Sequence, residues 1–246
     1  MDNHEKVQLM TLGQFKEIIV AFIRALPADM PFDDAQAWVG APQKDWVEML
    51  RRGPRSVTQL RDWLRIEQTF YRNVLGIDVD FSTMRIPESH TGLDRVLFIP
   101  QGLTPNGAVE IYRRLNIPIR LYTEDLDSAL DWDKEERNPK NGSYAICVRD
   151  RQEADEELKN LSAIQIAGKR IATETLSERL IHGAVYFLET GHHLDEYHTT
   201  FCCGSRRRWD GGVPVVNWSR PDNAILVSWY SPAHSYGLLR SREVVY

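Results

Sequence analysis

The 246-residue chain contains only three cysteines, Cys147, Cys202 and Cys203, which is too few for a disulfide framework. The count is odd, and two of the three are neighbours in the sequence. A small domain held by disulfides needs an even, spaced set of cysteines. The sequence therefore excludes that class of protein and favours a reducing compartment.

Long apolar runs are also missing from the chain. The longest one, residues 18–23, is much shorter than the roughly 20 apolar residues that a membrane-spanning helix requires. No basic segment followed by an apolar one precedes it, as a secretion signal would demand. The sequence therefore predicts a cytoplasmic protein without a membrane span.

Phosphate-binding loops are absent as well, since neither Gly-x-x-x-x-Gly-Lys nor Gly-x-Gly-x-x-Gly occurs. What is present is the composition of an ordinary globular protein, with 42% hydrophobic and 26% charged residues. The formal net charge of −5 argues against a general nucleic-acid binder. We therefore expect no nucleic-acid partner, no cofactor and no metal ion.

The order of helix and strand signals predicts an α+β chain in two parts. Residues 1–76 read as a helical module, because three apolar stripes recur there at helical spacing. Residues 77–246 mix strands with helices, and one helix is predicted to begin at a capping box of Thr175 and Glu178 and to end at Gly191. The polar residues 131–142 are predicted to form a surface loop, and residues 117–122 an extended segment. The helix that begins after Thr175 is predicted to carry Leu188 on its buried side and His182 on its flank.

Two segments near the C-terminus, residues 214–219 and 225–230, alternate strictly between apolar and other side chains. The turn signal Pro221-Asp222-Asn223 separates them, so the pair predicts an antiparallel β-hairpin. Successive side chains of a strand point to opposite faces. One face should therefore be a buried core face, made of Val216, Trp218, Ile225, Val227 and Trp229.

The same C-terminal segment is unusually rich in arginine. Between residues 201 and 246 there are six arginines, no lysine and three acidic residues. Three of the arginines, Arg206, Arg207 and Arg208, are consecutive and precede Trp209. They could hold an anion or stack on a nucleobase, or they could form a solvated turn, and the sequence leaves both open.

A metal- or cysteine-dependent enzyme is the main alternative function. His192, His198 and Cys202 lie close together in sequence, and imidazole and thiolate are zinc ligands and can act in nucleophilic catalysis. Their spacing matches no zinc signature, and no glycine-rich elbow accompanies Cys202. We therefore expect a non-enzymatic protein.

Two motifs carry a resemblance to a known group of proteins. One is Gly204-Ser205-Arg206 with Asp210-Gly211, Trp218, Trp229-Tyr230 and the closing Leu239-Arg240-Ser241-Arg242; the other is Asn138-Pro139-Lys140-Asn141-Gly142-Ser143-Tyr144-Ala145. With these motifs, residues 77–246 resemble an uncharacterised bacterial family similar to the variable proteins of diversity-generating retroelements. The closing strand departs from the Gly-Phe-Arg-like ending of such proteins.

The resemblance implies a C-type-lectin-like fold that displays a ligand-binding surface at the C-terminus. Adenine-directed mutagenesis would diversify chosen codons there while a fixed framework maintains the fold. The framework residues would be Val216, Trp218, Val227, Trp229, Arg240 and Arg242. The display residues would be Arg206, Arg208, Val215, Asn217, Ser219, Leu226, Ser228, Tyr230, Ser231, His234, Tyr236 and Leu238.

The expected function is therefore binding of a protein or another macromolecular ligand. Tyrosine and arginine dominate many interfaces, and asparagine and serine supply adaptable hydrogen bonds, as they do in antibody loops. The apolar face of the hairpin would stabilise the fold whatever side chains the other face carries, since each large apolar side chain contributes about 1.5–3 kcal/mol on burial. The sequence leaves open the identity of the ligand, the oligomeric state and the role of the helical module.

Overall fold

A computed structural model describes residues 67–79, 84, 87, 92–93 and 95–246. The chain divides into two compact units, Met1–Thr58 and Gln59–Tyr246. The helices predicted before residue 67 lie outside the described residues. Residues 67–76, the end of the predicted helical module, belong to the second unit, and the domain boundary at residue 76 stays a prediction.

Residues 67–75 are helical and end in a π-helical turn, Tyr71–Leu75, before Gly76. Their side chains hold the adjacent strand. The Tyr71 hydroxyl donates to the Phe98 carbonyl at 2.7 Å, and the Phe98 amide donates to Glu67 at 2.9 Å. This segment is therefore part of the core of the second unit.

The described residues of the second unit form two sheets with helices between the strands, which confirms the predicted α+β class. Strands β1 (Arg95–Ile99) and β3 (Tyr144–Val148) form an antiparallel pair. The larger sheet has the order β2-β6-β5-β4-β7. Its strands are β2 (Ile119–Leu121), β4 (Thr199–Phe201), β5 (Val213–Ser219), β6 (Ala224–Tyr230) and β7 (Leu239–Arg240).

Four α-helices lie between these strands in the chain: α1 (Pro105–Arg114), α2 (Leu126–Ala129), α3 (Ala163–Gly168) and α4 (Leu176–Thr190). The capping box predicted for α4 is confirmed, because Thr175 accepts from the Glu178 amide and the Glu178 carboxylate accepts from the Thr175 amide. Gly191 ends the helix with φ of 72°. Leu188, which was expected on the buried side of α4, is exposed.

The predicted hairpin is confirmed. Strands β5 and β6 pair antiparallel, with Val216 opposite Val227 and Trp218 opposite Ile225. Val216, Ile225 and Val227 lie in the main hydrophobic cluster together with Leu180 and Ala184 of α4, and this cluster lies on one face of the sheet. We call that side of the hairpin the inner face; its residues are Pro214, Val216, Trp218, Ile225, Val227 and Trp229.

Two sequence predictions about polar residues are wrong. Loop 131–142 is not wholly a surface loop, because Arg137 is buried and its guanidinium binds the Glu178 carboxylate at 2.6 and 2.8 Å. His182 was placed on the flank of α4. It is fully buried, with its Nδ1 atom 2.7 Å from the Glu174 carboxylate. In both cases the buried polar group has a carboxylate partner outside the local pattern of its own segment.

Candidate binding surface

The inner face packs both hairpin tryptophans against the main cluster and leaves each of them half-buried. Trp218 stacks on the His193 ring at a centroid distance of 3.6 Å, and His193 stacks in turn on Phe187 of α4 at 4.6 Å. Trp229 donates its indole N–H to the Thr123 hydroxyl at 2.9 Å. Both tryptophans are half-buried and pack against the main cluster. The inner face therefore supplies the packing predicted for it.

One half of the opposite face is covered. Val213 and Val215 of β5 join Phe201 in a second apolar cluster, where they lie against Ala163 and Ile166 of α3. Val215 is only 3% exposed. The prediction that Val215 is a display residue is therefore wrong, because its side chain is buried in the second apolar cluster.

The other half of this face is not covered in that way. Asn217 lies opposite Leu226, and Ser228 follows two residues later on the same side of β6. These side chains and that of Ser219 are half-buried, so each retains a surface that a ligand can reach. The structure thus brings four predicted display residues onto one continuous patch.

An aromatic cluster borders this patch at the end of β6. The Tyr230 ring lies 4.6 Å from the His234 ring and 6.2 Å from the Tyr236 ring, both measured between centroids. Tyr230 and Tyr236 also pack against the second apolar cluster. Ser231, His234 and Leu238 are exposed beside them. We call Ser231, His234, Tyr236 and Leu238 the C-terminal rim.

Two residues of this surface were missed by the sequence reasoning. β2 runs parallel to β6, with Arg120 opposite Leu226. Because Ile119 and Leu121 pack against the main cluster, alternation directs Arg120 and Tyr122 to the other side. Tyr122 is 71% exposed. We call the uncovered patch the open face; its residues are Arg120, Tyr122, Asn217, Ser219, Leu226, Ser228 and Tyr230.

The arginine run lies apart from the open face, in the loop between β4 and β5. Arg206 donates to the carbonyls of Cys203 and Ser205 at 2.6 and 2.8 Å, so its guanidinium fastens its own loop. Arg207 pairs with Asp210 and lies 5.2 Å from the rings of Trp209 and Trp229. Arg208 is exposed. Arg206, the other display arginine, is half-buried, as the display residues Asn217 and Ser228 are.

The two framework arginines predicted at the closing strand are buried, as expected. Arg242 donates to Asp195 at 2.7 Å, and Arg179 of α4 donates to the other oxygen of the same carboxylate, also at 2.7 Å. The two guanidinium groups hold the pKa of Asp195 below its ordinary value against the opposing effect of burial. Asp195 therefore joins α4 to the closing segment through buried ion pairs.

The residues of the enzyme alternative have different surroundings. His192 is exposed after the end of α4, and His198 binds Glu153 at 2.8 Å. Cys202 is fully buried in the main cluster, and burial raises the pKa of its thiol well above the ordinary value. A thiol in that setting stays protonated and is a poor nucleophile. Among the described residues, no group of three or more His, Cys, Asp or Glu side chains is arranged to hold a metal ion.

The motif at residues 138–145 lines a cavity of about 610 Å³. Arg137 also lines it, with its guanidinium 4.7 Å from the Tyr246 ring. The charge of this arginine is already matched, because Glu178 and the Thr173 carbonyl both accept from it. The cavity therefore presents polar walls without an unmatched cation.

Comparisons of sequence and structure with known proteins give no match. No family model, no curated protein and no solved structure matches it. Within the part of the chain that the structure describes, none of the helices has the length and apolar character to cross a membrane.

Proposed function

We propose that this chain is a non-enzymatic binding protein that presents the open face and the C-terminal rim to a protein ligand. The observation that carries the proposal is the division of one hairpin into two chemically different sides. The inner face holds valine, isoleucine and tryptophan against the main cluster. The open face of the same strands holds asparagine, serine, leucine and tyrosine.

This division supports a surface whose side chains can change without loss of the fold. Surface substitutions away from buried or strained positions usually alter the free energy of unfolding by less than about 0.5 kcal/mol. The open-face residues of the hairpin are half-buried and Arg120 and Tyr122 are exposed, whereas Val216, Ile225 and Val227 are at most 1% exposed. The stabilising contacts and the candidate contact residues therefore belong to different side chains of the same strands.

We further propose that the chain is a variable protein of a diversity-generating retroelement with a C-type-lectin-like domain. Its display positions would be those predicted from the sequence, without the buried Val215 and the self-bonded Arg206. The support is the resemblance of the C-terminal motifs together with the burial of Arg240 and Arg242. The separation of display and framework positions in space is the arrangement that such a protein needs.

The binding proposal is tested by selection from a library. Asn217, Ser219, Leu226, Ser228 and His234 are randomised, and the library is selected against hen egg-white lysozyme, with the unvaried chain as control. We expect folded variants that bind lysozyme with micromolar affinity or better, while the unvaried chain does not bind it. Recovery of misfolded, sticky variants alone would overturn the proposal.

The retroelement proposal is tested by sequencing the locus in many related cells. We expect a reverse-transcriptase gene beside it and a near-copy of the 3′ coding segment that differs only at adenines. Substitutions should fall in the codons of open-face and rim residues and spare those of Val216 and Trp218. An invariant segment with no near-copy would remove the retroelement origin and leave the binding surface to be judged by the selection.

A further inference from the structure

We propose that the binding surface continues from the hairpin past the end of β2, where Tyr122 is a constant anchor for a folded protein partner. This inference rests on the proposed function. Tyr122 lies about eighty residues before the arginine-rich C-terminal segment, outside the display set predicted from the sequence. Parallel pairing of β2 with β6 brings it beside that set.

The backbone fixes where Tyr122 stands. Its amide donates to the Val227 carbonyl at 3.1 Å, so the residue is tied to the centre of β6. Val227 itself points to the inner face and is fully buried. Its neighbour Ser228 points to the open face, on the same side as Tyr122. The hydrogen bond to β6 thus fixes the backbone of Tyr122, while its side chain leaves the residue 71% exposed.

Tyr122 is also close enough to Tyr230 of the aromatic cluster to affect its pKa. Partial burial raises the pKa of Tyr230, and the nearby hydroxyls of Tyr236 and Tyr122 raise it further. The three tyrosines therefore border the same patch of serine and asparagine side chains. An exposed tyrosine whose backbone is bonded to a neighbouring strand contributes a large contact area at low cost in conformational entropy, as tyrosines of antibody loops do.

The charges on the open face favour a protein over a nucleic acid as the occupant. Of the open-face residues defined above, Arg120 alone carries a formal charge, and it pairs with Asp222. Binding to nucleic acid depends on cations that neutralise phosphates. A face of tyrosine, serine, asparagine and leucine instead complements an uncharged patch of apolar and hydrogen-bonding groups on a folded protein.

The test uses variants selected from the library against two unrelated proteins, lysozyme and maltose-binding protein. In each binder Tyr122 is replaced by serine, and Tyr246→Ser is the matched control, since Tyr246 is a similarly exposed tyrosine beside Arg137. We expect Tyr122→Ser to weaken binding at least tenfold for both targets, Tyr246→Ser to change it less than twofold, and Tyr122→Phe to retain most of the affinity. Thermal unfolding of each variant is recorded in parallel.

The outcomes separate this inference from the proposed function. If binders appear and Tyr122→Ser leaves their affinities unchanged, the anchor is refuted while the hairpin surface stands. If Tyr122→Ser weakens binding only in proportion to a loss of folded protein, the anchor is also refuted. If no binder can be selected, both proposals fail. Salt-sensitive binding of the unvaried chain to single-stranded RNA at the open face would overturn the choice of a protein partner.

Discussion

The inner face and the open face belong to the same strands of the large sheet but differ in packing, burial and charge. On the inner side, apolar packing is joined by buried ion pairs that link α4 to the closing segment through Asp195. On the open face, the one charged pair, Arg120 with Asp222, is partly exposed, and the remaining side chains are uncharged. Side chains that stabilise the fold and side chains that a ligand can reach therefore alternate along the same two strands.

The largest contrast is expected between two aspartates that both pair with arginine. Asp195→Ala leaves Arg179 and Arg242 buried without their shared counter-charge, and we expect the free energy of unfolding to fall by about 3–5 kcal/mol. Asp222→Ala removes the partner of the exposed Arg120 and should cost less than about 1 kcal/mol. Chemical denaturation of both variants measures the difference. Equal losses in the free energy of unfolding would contradict the division into a structural inner face and an open face.

A second contrast lies within one face, between residues that pair across the hairpin. Val215 and Ser228 are directly opposite each other, but α3 covers only Val215. Val215→Asn buries a side-chain amide in an apolar cluster that offers it no hydrogen-bond partner. We therefore expect a loss of about 2–3 kcal/mol in the free energy of unfolding. Ser228→Asn should change it by less than about 0.5 kcal/mol. Similar losses in urea unfolding would show that the open face is covered after all.

The free energy of unfolding should also depend on pH, through the half-buried carboxyl group of Glu135. Burial and the nearby Glu178 carboxylate raise the pKa of Glu135 to about 8, although a hydrogen bond from Ser205 opposes the rise. Between the ordinary pKa of a glutamate and pH 8, the folded state keeps a proton that the unfolded state has lost. The contribution of Glu135 to stability therefore falls as the pH rises through that window.

Glu135→Gln removes this titration while keeping the shape of the protonated side chain. We expect the stability of the variant relative to the natural chain to increase by about 3 kcal/mol between about pH 5.5 and pH 8. Glu136→Gln, at an exposed carboxylate in the same loop, controls for the loss of an acidic residue. A difference that stays constant with pH would show that Glu135 is ionised in the folded protein.

The smallest effect is expected from salt acting on the open face. Binders selected against lysozyme should change in affinity by less than about threefold between 50 and 500 mM NaCl, because screening acts mainly on exposed charges. Isothermal titration at the two salt concentrations measures the change. A loss of a hundredfold would indicate that Arg208 or other cations, and not the uncharged patch, carry the binding.

The sequence predicted the features that depend on local pattern. Strict alternation was enough to define the hairpin and to assign Val216 and Val227 to the core, and a capping box with Gly191 was enough to define α4. It did not predict the cover over Val215, because α3 reaches that residue from about fifty positions earlier in the chain. Only non-local packing distinguishes Val215 from Ser228.

The sequence also missed Arg120 and Tyr122 for a physical reason. Residues 117–122 were correctly predicted to be extended, but parallel pairing with β6 spans more than a hundred residues and leaves no local signal. His182 was misplaced for a similar reason, since its buried partner Glu174 lies outside its own helix. The sequence therefore predicted the part of the candidate surface on the hairpin and the C-terminal rim, and missed the part at β2.

The most direct measurement of the central claim compares thermal unfolding in two small sets of variants. One set randomises Asn217, Leu226 and Ser228 of the open face, and the other randomises Val216, Ile225 and Val227 of the inner face on the same strands. Variants of the first set should unfold within about 5 °C of the natural chain, and most of the second should unfold at least about 10 °C lower or fail to fold. Equal losses in the two sets would contradict the division between a structural side and a rewritable side.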